Sequence, residues 1–69
     1  MELKDALEVF KRKVGKKVTA YEDRGNEFIF ITDTPNGKID TNVYRITPSK
    51  IVVTNPILCK LNKDKVVKL

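Results

Sequence analysis

Histidine is absent from the 69 residues and cysteine occurs once, at Cys59. A lone cysteine has no partner within the chain, which excludes an internal disulfide, and with no histidine to complete a ligand set a structural zinc site is excluded too. The same shortages bear on catalysis. Besides the threonines, Ser49 and Cys59 are the plausible nucleophiles, and neither has a histidine to activate it. Cys59, set between Leu58 and Leu61 in an apolar run, reads as a small buried side chain. Of the nine carboxylates, Glu22, Asp23, Glu27, Asp33 and Asp40 fall close together in sequence. The three aspartates among them lie at turns or strand ends, where aspartate serves local hydrogen bonding, and residues 33–37 lack the ligand spacing of a calcium loop. The expectation is therefore a protein that is not an enzyme and carries no metal or cofactor. No run approaches the roughly 18 apolar residues of a membrane span, and Met1-Glu2-Leu3-Lys4-Asp5 lacks the apolar middle of a signal peptide. A cytoplasmic protein with no membrane partner is expected.

What is present is enough apolar material for a core. Hydrophobic residues make up 41% and charged residues 33%, too apolar for intrinsic disorder and typical of one small folded domain spanning residues 1–69. The hydrophobic period changes along the chain. Leu3, Ala6, Leu7, Phe10 and Val14 recur at spacings of three and four, the stripe of an amphipathic helix within residues 1–15. Acidic Glu2, Asp5 and Glu8 precede basic Lys11, Arg12 and Lys13, the order a helix dipole favours, and Gly15 is expected as the C-cap. From Val18 onward the pattern alternates. Strands are expected over residues 17–23, 27–33, 39–46 and 50–54, a meander across 17–54 broken at Arg24-Gly25-Asn26, at residues 34–38 and at Thr47-Pro48-Ser49. Asn55-Pro56 ends the fourth strand because proline cannot donate to a ladder.

Both faces of this sheet are apolar. Phe28 and Phe30 point one way and Ile29 and Ile31 the other; Val43 opposes Tyr44 and Ile46, and Val52 opposes Ile51 and Val53. One helix covers one face. The other falls to residues 55–69, acting as an extra strand, a short helix or a cover, or else to a second subunit, in which case Ile29, Ile31, Tyr44 and Val52 are the expected protein interface and a homodimer is the simplest partner.

Charge is uneven: residues 1–17 sum to +3, residues 18–49 to −2 and residues 50–69 to +4, making the net +5. Lys11, Arg12, Lys13, Lys16 and Lys17 place five cations in seven positions, a set able to contact phosphates or another anionic partner. If the helix end and the tail converge, Lys60, Lys63, Lys65 and Lys68 join the same field. Such clusters also simply complement a helix dipole and carry no base-reading groups. Arg24-Gly25 followed by Phe28-Ile29-Phe30 has part of the basic, glycine and aromatic order of an RNA-recognition strand, but Asn26 and Glu27 intervene and the partner motif is missing, so Phe28 and Phe30 read as core.

Three stretches in order form a pattern: the helix from Leu3 to Val14, the hairpin Tyr21-Glu22-Asp23-Arg24-Gly25-Asn26-Glu27-Phe28-Ile29-Phe30, and Val43-Tyr44-Arg45-Ile46 turning into Lys50-Ile51-Val52-Val53 before Asn55-Pro56. Over residues 2–56 this order resembles small uncharacterised proteins of phages and Gram-positive bacteria and is similar to PepSY-like or cystatin-like domains. Thr47-Pro48-Ser49 replaces the glycine-bearing turn expected there. The resemblance implies a helix packed on an antiparallel sheet and a binding or inhibitory role; it carries over no site residues. The expectation is thus an α+β domain, an N-terminal helix on a four-stranded antiparallel meander with the tail added. Its expected function is a non-catalytic protein-binding module, a phage or mobile-element accessory protein that occupies a host surface. The alternative is a nucleic-acid-binding protein using the basic cluster at 11–17.

Overall fold

The computed structural model describes the backbone of residues 1–69 and every side chain except that of Ile39. Helix α1 spans Leu3–Lys13, with Asp5 in its first turn and Lys11, Arg12 and Lys13 in its last. Its cap lies one residue earlier than the sequence suggested. Val14 is the C-cap and donates its N–H to the Phe10 carbonyl at 2.8 Å; Gly15 follows in the left-handed region at φ +78° and reaches the same carbonyl at 3.2 Å. Glycine is needed here because the chain must leave the helix at an angle that a Cβ disfavours.

Five strands follow: β1 (Val18–Asp23), β2 (Phe28–Asp33), β3 (Ile39–Ile46), β4 (Ile51–Thr54) and β5 (Val66–Lys68), the last preceded by one 3₁₀ turn at Lys63–Lys65. They form a single antiparallel sheet in the order β4-β3-β2-β1-β5. The meander is local, closed by Arg24 N–H to the Glu27 carbonyl at 2.9 Å and by Thr47 N–H to the Lys50 carbonyl at 3.0 Å. The tail is not. Because β4 and β5 run parallel at opposite edges, residues 55–65 must cross one whole face of the sheet to connect them.

Two cores result. On one face, Ala6 and Phe10 of α1 pack against Phe28, Phe30, Tyr44 and Ile46, all buried. Phe10 meets Phe30 and Tyr44 edge-on, with ring centroids 5.3 and 5.0 Å away. A shift of register in β1 between Val18 and Ala20 brings Val18 onto this same face, although strict alternation would have placed it with Ala20 and Glu22. On the other face, Cys59 closes over Ile29 and Val43, with Ile31 and Leu61 alongside. The tail therefore supplies all three of the roles open to it: a cover, a short helical turn and a fifth strand.

Candidate interaction surface

The tail is held down by a buried carboxylate. Glu22 lies on the tail-facing side of β1, opposite Ile29 and Val66 in the ladder, and its side chain is 5% exposed. Arg24 donates to it from Nε at 2.8 Å and from Nη2 at 3.3 Å, and the backbone N–H of Asn62 donates at 2.9 Å. The same guanidinium donates to the Lys60 carbonyl at 3.0 Å and lies 3.6 Å from Glu27. Arg24 holds the Glu22 carboxyl below the ordinary carboxylate value; desolvation opposes this and the Asn62 N–H assists it. Lys60, in the left-handed region at φ +54°, turns the chain so that its carbonyl meets Arg24. This arrangement explains a buried charge pair without invoking chemistry: it clamps two points of the tail to β1.

The basic cluster lines more than one depression. Lys11, Lys16 and Lys17 line an open groove with Leu7, Val18 and Leu69, whereas Arg12 and Lys13 line a separate depression with Met1 and the Thr47–Lys50 turn. Lys16 is partly engaged already. Its ammonium sits 5.4 Å from the Tyr44 ring centroid and 2.9 Å from Asp40, and Tyr44 first, then Asp40, push its pKa up to about 12. The tail lysines divide: Lys63 lines a tail-side cleft with Asp40, whereas Lys68 immediately precedes Leu69, which lines the same groove as Lys11, Lys16 and Lys17. The two ends of the chain therefore meet at Lys68.

The four residues expected at a protein interface separate in the same way. Ile29 and Tyr44 are buried in the two cores, and Ile31 is half-buried against the tail. The exception is Val52, 37% exposed on β4. The reason is that α1 covers Tyr44 on one face and the tail covers Ile29 and Ile31 on the other.

Besides Met1, Val67 and Leu69, the exposed large apolar side chains fall in one segment. Val53 is 57% exposed, Ile57 87% and Leu58 75%, with Val52 in the same eight-residue stretch. Ile57 and Leu58 are presented by a built corner: the Asn55 side-chain oxygen accepts both of their N–H groups, at 3.0 and 2.8 Å, while Cys59 N–H and Leu61 N–H bond the Asn55 and Pro56 carbonyls. Cys59 on this corner points into the core and the two neighbours before it point out. Residues 51–59 carry no charge, the longest uncharged run in the chain. The run is legible in the sequence, whereas exposure at Ile57 and Leu58 depends on how the corner is closed.

Among the described residues no three histidine, cysteine, aspartate or glutamate side chains converge as metal ligands, and no helix is long and apolar enough to cross a membrane. No protein-family model, curated protein or solved structure matches the chain.

Proposed function

We propose that the protein is a non-catalytic protein-binding module and that residues 51–58 are its contact surface. The observation that carries this reading is the outward projection of Ile57 and Leu58 from a hydrogen-bonded corner, beside the exposed Val52 and Val53. Val52 and Val53 project to opposite faces of β4, so the apolar contact centres on Ile57 and Leu58, and exposed apolar patches on monomers are often functional. A corner held by four hydrogen bonds keeps its side chains in place before a partner arrives, which lowers the ordering cost of association. The resemblance of residues 2–56 to small phage and Gram-positive proteins is the ground for assigning an accessory role in which this surface occupies a host protein.

The test compares capture of partners by the wild-type chain, by the double variant Ile57→Ser/Leu58→Ser and by Lys11→Gln/Lys16→Gln/Lys17→Gln, each with and without nuclease. Retention that survives nuclease and the lysine changes but is lost with the serine variant supports the reading. Retention that disappears with nuclease, or that falls steeply with salt and with the lysine changes, would instead establish the nucleic-acid alternative.

A further inference from the structure

The partner that β4 fits most closely is another β4. Resting on the reading of residues 51–58 as a contact surface, we propose that two copies of the chain pair β4 to β4 in antiparallel fashion, with Val52 opposite the Val52 of the second copy, to give one continuous ten-stranded sheet.

The register follows from the ladder. Thr47 N–H bonds the Lys50 carbonyl, so residues 47 and 50 form a hydrogen-bonded pair. Hydrogen-bonded and non-hydrogen-bonded pairs alternate in an antiparallel ladder. Given the observed partners Ile46 and Ile51, Arg45 and Val52, Tyr44 and Val53, and Val43 and Thr54, the peptide groups of Val52 and Thr54 are directed to β3. Those of Ile51 and Val53 are directed outward, at the open edge of the sheet. A two-fold axis perpendicular to the sheet keeps equivalent faces on the same side, so residues of like parity must oppose one another. Placing Val52 on the axis meets both conditions at once. Ile51 then opposes Val53 of the second copy, and Val53 opposes its Ile51, which uses all four outward N–H groups and all four outward carbonyls of the two strands.

The side chains and charges agree with that register. Each facing pair is β-branched, Ile with Val on the helix side and Val with Val on the tail side, the type of cross-strand pair that stabilises sheets. Two chains of net charge +5 approach only where charge is missing, and residues 51–59 are that place. The opposite edge is guarded: β5 is three residues long, contains Lys68 and follows directly on Lys65, whereas β4 has a lysine only before its first residue, at Lys50. β4 has no lysine, proline or bulge within it. The contact is small for a specific interface, so association is expected to be weak and concentration-dependent, and to tighten with salt as the net repulsion is screened.

The experiment measures mass by sedimentation over a concentration series up to about 1 mM, together with amide exchange of the same samples, for wild type, Val53→Pro and Val53→Lys. Proline at 53 removes only an outward N–H and is tolerated at an edge, whereas lysine keeps the backbone and brings two charges near the axis. Expected is a wild-type mass rising toward twice the 7.9 kDa of the chain, with Ile51 and Val53 amides gaining protection as concentration rises, and a monomer for both variants. Lysine decides the matter if the proline variant does not fold. A wild type that stays monomeric throughout overturns the proposal, as does a dimer that both folded variants retain or one that leaves the Ile51 and Val53 amides unprotected. A monomer that nevertheless holds a protein through Ile57 and Leu58 sinks the self-pairing alone; loss of both sinks the contact surface as well.

Discussion

Replacing Glu22 by alanine should loosen the tail before it loosens anything else. The substitution removes the acceptor of two bonds from Arg24 and one from Asn62 N–H. Breaking a fully buried ion pair by removing one partner costs about 3 to 5 kcal/mol, mostly because the surviving charge is stranded. Arg24 is not fully stranded, since its side chain is 22% exposed and it keeps the Lys60 carbonyl and Glu27 within reach. The expected loss is therefore smaller, about 2 to 3 kcal/mol. For a domain of this size, whose total stability is about 3 to 10 kcal/mol, that corresponds to a fall in Tm of about 10 to 20 °C. Glu22→Gln retains an oxygen for Asn62 but loses the charge opposite Arg24, and should cost about 1 kcal/mol. Urea titration and thermal melts give the totals, and amide exchange at Asn62 shows where the loss begins. The pH dependence has a definite sign. A carboxyl held below its ordinary value of 4.5 contributes stability that is complete above that value and is lost as pH falls through its lower folded value. Asp40, held down first by Lys16 and also by the Asn42 N–H, acts in the same direction, so the difference between wild type and Glu22→Gln isolates the Glu22 share. Alanine and glutamine variants that both melt within a degree or two of wild type, with Asn62 still protected, would refute the clamp.

Two further substitutions address the helix-side core and a buried hydroxyl. Phe30→Ala should cost about 3 to 5 kcal/mol, because Phe30 is fully buried between Phe10 and Phe28 and little can close the void; a chain that melts unchanged would reject this core. Thr32 is fully buried and its Oγ1 has no partner in good hydrogen-bond geometry among the described residues, although its hydroxyl lies near enough to Asp40 to help hold that carboxyl down, so the nearly isosteric Thr32→Val should raise stability by about 1 kcal/mol; a destabilised variant in urea titration would show that the contact with Asp40 outweighs the buried hydroxyl.

The sequence by itself determined whatever is set by contacts between near neighbours. The spacing of Leu3, Ala6, Leu7 and Phe10 made a helix with one apolar stripe, and the alternation through residues 18–54, punctuated by Gly25, Pro35 and Pro48, made the meander with its two apolar faces. Period and turn chemistry act over a few residues, so they can be read from a few residues. The basic cluster was equally legible, but the neighbours of each cation were not, because only packing decides what each one meets. The tail belonged to tertiary structure altogether. Nothing local directs Val66–Lys68 to β1 and not to β4; that choice follows from the apolar face at Ile29 and Val43, which has to be crossed to be covered, and from Glu22 and Arg24, which bind Lys60 and Asn62 from some 40 residues away in sequence. With α1 over Tyr44 and the tail over Ile29, both residues were interior, and the apolar surface left over included β4 and the Ile57-Leu58 corner, a short edge strand and a capped turn.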